Sequence, residues 1–247
     1  MKLTRRDTLT LAAVSAAAGL VGLPSFAQAK EGDQIDQMRL MTPAGIPDKI
    51  SGNPEAKVTV IEYASPTCPH CATFHNNVYA DFKAKYVATG QVKFAVRPFA
   101  RNPIDAAIFM LAEYAAKAVD QQAPAADPSA SSSEPVAPAV EGAAYSPAAV
   151  DAYENVIAAF FKTQNEWAVA AEPLPAIKKI TDQLGFAEET FTAALTDKAL
   201  FEAIEAMREQ AVKEFGLDGT PTFYINGKQL TGDKTLDILS AEIDPLL

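Results

Sequence analysis

Residues 57–71 read KVTVIEYASPTCPHC, an apolar run followed by a short turn and two closely spaced cysteines. Residues 57–64 are rich in β-branched and aromatic side chains, a composition that predicts a buried strand. A turn containing Ser65 and Pro66 follows and leads into a Cys-Pro-His-Cys motif. The predicted strand therefore carries two cysteines to the start of the next element.

The segment after the motif predicts a helix followed by a second strand. Apolar side chains recur at helical spacing over residues 69–88, at positions Phe74, Val78, Phe82 and Tyr86. Gly90 ends this helix, and residues 91–96 (QVKFAV) predict a strand. The local order is therefore strand, motif, helix, strand.

Residues 103–215 are mostly helical by their pattern. Asn102 before Pro103 is a helix start, and Asp197 and Gly216 are the cap residues of the last long helix. One predicted helix begins at residue 103, and three more span residues 146–161, 175–184 and 188–195. The last predicted helix has an inward face formed by Leu200, Ile204, Met207, Ala211 and Phe215.

The end of the chain predicts a hairpin and a last helix. Residues 222–225 and 229–231 read as strands joined by an Asn226-Gly227 turn, and residues 235–243 read as a helix. Two strands precede the helical block and two follow it. We therefore expect an α/β fold with one mixed sheet and helices around it.

Residues 121–147 interrupt the helical block with an Ala-, Pro- and Ser-rich run. Such a run buries too little apolar surface to offset the entropy lost on ordering, so we predict a disordered loop between two helices. The alternative is a segment that binds a partner. Insertions of this composition in long surface loops favour the first interpretation.

Residues 1–29 have the layout of a signal peptide. A positive region with Arg5 and Arg6, an apolar run over 9–23 and a small-residue cleavage site at 27–29 follow in that order. The paired arginines favour the twin-arginine route, with the general secretory route as the alternative. An uncleaved membrane anchor is disfavoured because the apolar run is shorter than the about 20 residues that span a bilayer.

The composition is that of a globular protein with an acidic surface. Hydrophobic residues make up 49% of the chain and charged residues 21%, and the formal net charge is −10. A negative surface disfavours nucleic acid and anionic lipid as partners, so we expect no nucleic-acid binding.

Cys68 and Cys71 are the only two cysteines of the chain. A bridge that closes so short a loop adds little stability, so the pattern favours a working pair over a structural disulfide. Cys68 falls at a predicted helix N-terminus, where free N–H groups and the helix dipole favour the thiolate, and a stabilised thiolate makes the disulfide oxidising. His70 can add positive charge or a hydrogen bond to that thiolate, while Cys71 should be more buried and act as the resolving thiol.

A zinc site is the competing interpretation of the motif. Structural zinc takes four ligands, commonly from two such motifs, and this sequence has one. His70 lies between the cysteines, where the coordination geometry is poor, and His75 is interpreted as a partly exposed helix residue rather than a participant. We therefore expect no metal and no cofactor.

These residues resemble the thioredoxin superfamily, and in particular its bacterial DsbA-type oxidoreductases. The resemblance covers roughly residues 50–247 and includes a helical block where DsbA-type proteins insert a helical domain. Its motifs are a Pro-His pair between the cysteines, an acid six residues before the first of them and a Thr-Pro pair before a strand, which are Pro69, His70, Glu62, Thr220 and Pro221.

The resemblance implies a thioredoxin-like α/β fold with an inserted helical domain. Residues 30–56 would be a lead-in segment and residues 57–102 the first part of the thioredoxin-like domain. The helical insertion would then cover residues 103–215, and the second part of the thioredoxin-like domain would cover residues 216–247.

The resemblance also implies roles for residues around the cysteines. Glu62, if buried, would shuttle protons as Cys71 leaves or attacks; the alternative is an edge-strand glutamate that faces water. Pro221, matching the superfamily's cis-proline, would place its backbone beside Cys68 and pair with an extended substrate chain. Thr220 replaces the valine common in several DsbA oxidases, which keeps the direction of the reaction open.

The expected function is that of a periplasmic thiol:disulfide oxidoreductase that introduces disulfide bonds into exported proteins. The resemblance implies a DsbB-type membrane partner that re-oxidises it. One alternative is a disulfide isomerase or reductase, which Thr220 alone supports and for which residues 30–56 are too few to build a dimerisation domain. The other is a non-catalytic peptide-binding or chaperone-like domain.

Overall fold

The core of the molecule is one four-stranded mixed sheet. A computed structural model describes residues 30–122 and 145–247. Within them the strand order is β2–β1–β3–β4, with β1 and β2 parallel and β3 antiparallel to both of its neighbours. Two strands come before the helical block and two after it, as the sequence predicts. The strands are β1 (Val58–Ala64), β2 (Val92–Pro98), β3 (Thr222–Ile225) and β4 (Lys228–Thr231).

Ten α-helices surround this sheet in the described part of the chain. No helix there is both long and apolar enough to cross a bilayer. The helices are α1 (Gln37–Leu40), α2 (Pro69–Asn77), α3 (Tyr79–Phe82), α4 (Pro103–Gln122), α5 (Pro147–Lys162), α6 (Gln164–Trp167), α7 (Pro173–Gln183), α8 (Glu188–Thr196), α9 (Lys198–Phe215) and α10 (Leu236–Ile243).

Two predictions fall wholly or mostly outside the described residues. The signal peptide, residues 1–29, lies outside them, and so do residues 123–144 of the predicted loop. The loop boundary at 121 is wrong because α4 continues through Gln122. Local helix propensity in the Ala-Lys-Ala-Val stretch before Gln121 explains this extension.

The predicted helix ends are formed by the expected caps. The Asn102 side chain accepts hydrogen bonds from the N–H groups of Ile104 and Asp105, so it caps α4 ahead of Pro103. Asp197 caps α9 in the same way, and Gly216 ends that helix with φ +64°. All five side chains predicted to face inward on α9 are buried.

The single helix predicted over residues 69–88 is wrong. The chain breaks at Val78 (φ −123°, ψ −38°) into α2 and α3, and α3 continues into a π-helical turn over Lys83–Val87. Asn and β-branched Val are weak helix formers, so the break falls where propensity is lowest. In α3 the Phe82 ring lies 5.4 Å from the Phe94 ring of β2. Tertiary packing therefore overrides the helical pattern of apolar residues that runs on through Val78.

The lead-in segment is wrapped along the sheet rather than standing apart. Gln34 makes an isolated bridge to Lys228 of β4, and Ser51 makes one to Phe94 of β2, so the segment touches both edges. Gly227 (φ +87°) has no room for a side chain, because a Cβ would lie 2.5 Å from the Ile35 carbonyl oxygen. This contact explains why the hairpin turn needs glycine there.

A buried ion pair ties the lead-in segment to the sheet. Arg97 of β2 is 1% exposed, and its guanidinium donates to both carboxylate oxygens of Asp48 at 2.7 and 2.6 Å. The same guanidinium donates to the Leu40 carbonyl at 2.7 Å and to the Tyr63 hydroxyl at 2.9 Å. A buried charge with all these partners is satisfied, and it becomes costly once its counter-ion is removed.

We predict that Asp48→Ala lowers the free energy of unfolding by about 3–5 kcal/mol, because it leaves the Arg97 charge buried and unpaired. The matched control is Glu202→Ala, which removes an exposed partner of Lys198 and should cost no more than about 1 kcal/mol. Urea unfolding of both variants measures the difference. Equal losses would show that the buried pair contributes no more than a surface pair.

Candidate active site

Cys68 is the N-cap residue of α2 and lies where β1 delivers the chain to that helix. Its backbone is extended (φ −82°, ψ 120°) and Pro69 occupies the first helical turn, where its missing N–H group costs nothing. The Cys68 thiol donates to the Thr220 carbonyl oxygen at 3.2 Å, and the Thr220–Pro221 peptide bond is cis. The fold thus brings Thr220 and Pro221 to Cys68 from 152 residues away.

The environment of Cys68 favours its thiolate. The Cys71 thiol, with the backbone N–H groups of Cys71 and His70, lowers the pKa of Cys68 from its ordinary 9.0 to about 5, against the opposing effect of burial. These donors stand at the start of a helix, where N–H groups lack intrahelical partners. Cys68 therefore ionises at neutral pH.

Cys71 lies in the opposite environment, one turn into α2. It is 0% exposed, and burial, followed by the Cys68 contact and the negative charge of Glu62, raises the pKa of Cys71 well above 9.0. The exposed fraction separates the two thiols little, because Cys68 is itself only 2% exposed, and the difference between them lies in their pKa values. The two cysteines thus form an asymmetric pair with one thiolate and one thiol.

Glu62 lies on β1 in the middle of the sheet. It pairs with Val96 of β2 on one side and Phe223 of β3 on the other, and it is 0% exposed. The alternative of an edge-strand glutamate that faces water is therefore wrong. A strand with partners on both edges directs its side chains to the two faces of the sheet, and a 2.9 Å contact with His75 of α2 places the Glu62 carboxyl group on the α2 side.

His75 is partly exposed as a residue, as predicted, whereas its side chain turns inward. Its side chain is 4% exposed, and its Nε2 atom lies 2.9 Å from Oε2 of Glu62. The ring stacks on Phe161 of α5, with centroids 4.4 Å apart. The four-residue spacing between Cys71 and His75 is the sequence feature that could have indicated this contact, because residues four apart lie on the same face of a helix.

His70 does not reach the Cys68 thiolate with its side chain. The ring is 61% exposed, and its Nδ1 atom lies 3.0 Å from both carboxylate oxygens of Asp233, in the loop after β4. The backbone N–H of His70, rather than its ring, contributes to the low pKa of Cys68. The predicted side-chain interaction is therefore replaced by a surface contact with Asp233.

Asp105 of α4 was missed by sequence reasoning, although it holds the turn before the motif. It is 0% exposed and accepts hydrogen bonds from the Ser65 hydroxyl at 2.7 Å and the Thr67 backbone N–H at 2.8 Å. It also accepts from the Arg101 N–H at 2.9 Å. An acid at the third position of a helix has a ready local explanation in the helix dipole, so nothing marked it as distant support.

Gln164 is the second missed residue, and it holds the same loop from the other side. Its side-chain NH₂ donates to the Pro66 carbonyl at 2.6 Å and to the Cys68 carbonyl at 2.9 Å. It lies at the start of α6, a one-turn helix that the sequence pattern did not predict. A lone glutamine between two helices carries no sequence signal of this role.

A metal centre finds no support in this arrangement. Within residues 30–122 and 145–247, no three His, Cys, Asp or Glu side chains are grouped so that they could hold a metal ion. Cys68 points to the Thr220 carbonyl, and Cys71 points into the core. Together these residues can carry out disulfide exchange, with the reaction at the Cys68 sulfur and Cys71 as the second thiol of the pair.

Comparison with known proteins agrees with this geometry. A family model described as Thioredoxin matches residues 46–134 and 129–245. A Rickettsia felis protein named "Putative protein-disulfide oxidoreductase" is 26% identical over 202 residues, which cover 81% of this chain. The chain spans 60% of that relative's length.

Solved structures match over most of both chains. A double variant of alpha-DsbA1 from Wolbachia pipientis is 25% identical with a TM-score of 0.67, covering 86% of this chain and 96% of that one. A protein-disulfide isomerase from Novosphingobium aromaticivorans is 21% identical with a TM-score of 0.60, over 83% and 99%. The second match shows the fold alone.

The fold is thioredoxin-like, with the helical block between β2 and β3 that distinguishes the DsbA type. The chain belongs to the thioredoxin superfamily and, within it, to the DsbA-type proteins.

We predict that Cys68 reacts with iodoacetamide at a rate that rises with pH and is half-maximal near pH 5, the pKa of about 5 given by its surroundings. The thiolate is the reactive form, so reactivity is gained above this pH and lost below it. Cys71, tested in Cys68→Ser, should stay unreactive to pH 9 because burial raises its pKa above 9.0. An inflection for Cys68 near 9 would contradict the described environment.

We predict that Gln164→Leu lowers the free energy of unfolding by about 1–3 kcal/mol, because it removes the Gln164 donor from the Pro66 carbonyl and leaves the Cys68 carbonyl only the Ala72 N–H. Gln183→Leu, at an exposed position of α7, is the control and should change stability by no more than about 0.5 kcal/mol. Denaturant unfolding at pH 7 compares the two. A loss no larger than the control's would mean that water replaces the Gln164 donors.

Proposed function

We propose that this protein is an exported thiol:disulfide oxidoreductase that introduces disulfide bonds into other exported proteins. The observation that carries the proposal is the asymmetry of the pair. Cys68 is an ionised thiol at a helix N-terminus with a pKa of about 5, and Cys71 is a buried thiol whose pKa lies well above 9.0. The Rickettsia felis name and the alpha-DsbA1 likeness support the same chemistry.

The proposed reaction moves two electrons from a substrate dithiol to the Cys68–Cys71 disulfide. A substrate thiolate attacks the Cys68 sulfur, a mixed disulfide forms, and Cys71 leaves and takes up a proton. A second substrate thiolate then attacks the substrate sulfur of the mixed disulfide, and Cys68 leaves as a thiolate. The substrate gains a disulfide, and the protein ends with a Cys68 thiolate and a Cys71 thiol.

The low pKa of Cys68 gives this reaction its direction. A good leaving thiolate departs readily, and stabilising it stabilises the reduced protein relative to its disulfide form. The disulfide form therefore tends to give up its bond, which is the behaviour of an oxidase. Thr220 supports the alternative of an isomerase or reductase by residue type alone, so a measured potential decides between them.

Two further groups have roles in this proposal. Glu62, buried under Cys71, supplies the proton when Cys71 leaves and accepts it when Cys71 attacks. The backbone of Thr220 and Pro221 lies beside Cys68 and would pair with an extended substrate chain by strand-like hydrogen bonds. Pro69 serves the site by starting α2 directly behind Cys68.

The proposal also covers location and partners. Residues 1–29 carry the export signal described above, so we propose a periplasmic location reached by the twin-arginine route, with the general secretory route as alternative. Its substrates are exported proteins with cysteine thiols. A DsbB-like membrane protein would re-oxidise the Cys68–Cys71 dithiol, because each turnover leaves that pair reduced.

We predict that the oxidised protein, without residues 1–29, restores activity to reduced, unfolded ribonuclease A under conditions where the uncatalysed reaction is slow. Equilibration with glutathione should give a reduction potential far above thioredoxin's about −270 mV and nearer the about −120 mV of a strong oxidase. Recovered ribonuclease activity measures the first outcome. Mass spectrometry of trapped thiols gives the reduced fraction of the protein, from which the reduction potential follows.

The controls separate the rival functions. Cys68→Ser should abolish oxidation. Cys71→Ser, given scrambled ribonuclease, should attack a substrate disulfide with Cys68, release one substrate thiolate and remain as a mixed disulfide, because it lacks the resolving thiol. Reactivation of scrambled ribonuclease together with a potential near thioredoxin's would favour the isomerase or reductase. Protection of unfolded chains by Cys68→Ser/Cys71→Ser, without any exchange by the unmodified protein, would favour the chaperone-like alternative.

A further inference from the structure

A buried polar contact lies beneath the cysteines, between Glu62 of β1 and His75 of α2. Oε2 of Glu62 and Nε2 of His75 are 2.9 Å apart, and the two side chains are 0% and 4% exposed. Two such atoms at hydrogen-bond distance share a proton, because two facing lone pairs would repel each other. The contact therefore holds one proton out of reach of bulk water.

The two oxygens of the Glu62 carboxyl group are used differently. Oε2 contacts His75, whereas Oε1 is buried and has no hydrogen-bond partner among the described residues. A buried acceptor without a partner is rare in folded proteins and calls for an explanation. An oxygen kept free for a transferable proton supplies one.

Cys71 is the thiol placed to use that free oxygen. It precedes His75 by four residues and lies on the same face of α2, one turn nearer the helix start. The charge of Glu62 acts on it, because that charge, after burial and the Cys68 contact, raises the pKa of Cys71. Glu62 therefore lies between a histidine that holds one oxygen and a thiol within electrostatic reach of the group.

The His75 ring is held in place by aromatic neighbours. It stacks on Phe161 of α5 at 4.4 Å and 20°, and meets the Phe74 ring edge-on at 5.4 Å and the Tyr79 ring at 5.1 Å. Among the titratable groups around it, Cys71 and Tyr79 share its side of the sheet. Burial and the charge of Glu154, which pairs with Lys83, raise the pKa of Tyr79 well above 10.0, so Tyr79 stays neutral.

We propose that His75 is a positioning residue for disulfide exchange, whose Nε2–H group holds Oε2 of Glu62 so that Oε1 exchanges a proton with the Cys71 sulfur. The inference rests on the exchange chemistry proposed above and adds a residue to it. An unheld carboxyl group would rotate about its terminal bond, which is a soft torsion, and would spend less time with an oxygen directed at Cys71.

The proton-coupled step is balanced when Cys71 resolves a mixed disulfide at Cys68. The Cys71 S–H proton passes to Oε1 of Glu62 as the Cys71 sulfur attacks the Cys68 sulfur. The Cys68–Cys71 bond forms, the bond from Cys68 to the outer sulfur breaks, and the outer group leaves as a thiolate. In the opposite direction Cys71 leaves, and Oε1 returns the proton to it.

The test measures how fast Cys71 displaces glutathione from a Cys68–glutathione mixed disulfide, with release of the thiol followed by rapid mixing. His75→Phe keeps a ring against Phe161 and removes the hydrogen-bond donor. We expect its rate at pH 7 to fall roughly ten- to a hundredfold, which is less than the roughly hundred- to ten-thousandfold of full acid–base assistance because Glu62 itself is retained. The rate should recover as pH rises, because hydroxide then removes the Cys71 proton directly.

His75→Gln is the conservative variant, since its side-chain NH₂ group can still donate to Oε2. It should restore most of the wild-type rate, whereas a rate as low as that of His75→Phe would contradict positioning by a hydrogen bond. Asn76→Ala is the matched control, because it removes a different contact between α2 and α5, the 3.1 Å bond to the Phe161 carbonyl. A loss in this control equal to that of His75→Phe would show that the rate reports only packing.

Two measurements keep the outcome clear if His75→Phe does not fold. Imidazole ¹⁵N NMR of the wild-type protein, which has two histidines, should show a proton on Nε2 of His75, and an unprotonated Nε2 would overturn the inference. Alkylation of Cys68 should be unchanged in His75→Gln. If the wild-type protein exchanges no disulfide, the proposed function fails; if it does and His75→Phe resolves equally fast, only the role of His75 fails.

Discussion

The site depends on the position of β1, the central strand that runs directly into the start of α2. Hydrogen bonding to β2 and β3 on its two sides leaves this strand no freedom to shift. Glu62 is thereby held under the helix, and six residues later Cys68 is delivered to the helix N-terminus. The acid, the buried thiol and the N-terminus of α2 come close together because one strand and one helix share a short turn.

The same geometry divides the two cysteines between different electrostatic environments. Cys68 meets unpaired N–H groups at the helix end, so its negative charge is stabilised. Cys71 is one turn deeper, where burial and the Glu62 charge both disfavour ionisation. Thiol–disulfide exchange proceeds by attack of a thiolate, and the thiol with the lower pKa leaves faster. Cys68 at the helix end has that lower pKa, whereas Cys71 must lose its proton before it attacks.

The helical block supports the motif as well as covering the sheet. Asp105 at the start of α4 binds the turn before Cys68, and Gln164 at the start of α6 binds the carbonyls of Pro66 and Cys68. The loop is thus held from two helices that are far from it in sequence. Since buried polar groups need partners, these helices stabilise the conformation in which Cys68 begins α2.

From local propensity and short spacings, the amino-acid sequence predicts the strand–motif–helix order, the helix caps at Asn102 and Asp197, and a pair of cysteines at the start of a helix. It also indicated Glu62, Thr220 and Pro221 by resemblance. Only the packed fold shows that α2 ends at Val78, that His70 turns to Asp233 and that the His75 side chain contacts Glu62. It also shows that Asp105 and Gln164 hold the loop before the motif. Those contacts join residues that are distant in the chain or compete with other partners, and a local pattern carries no information about which partner wins.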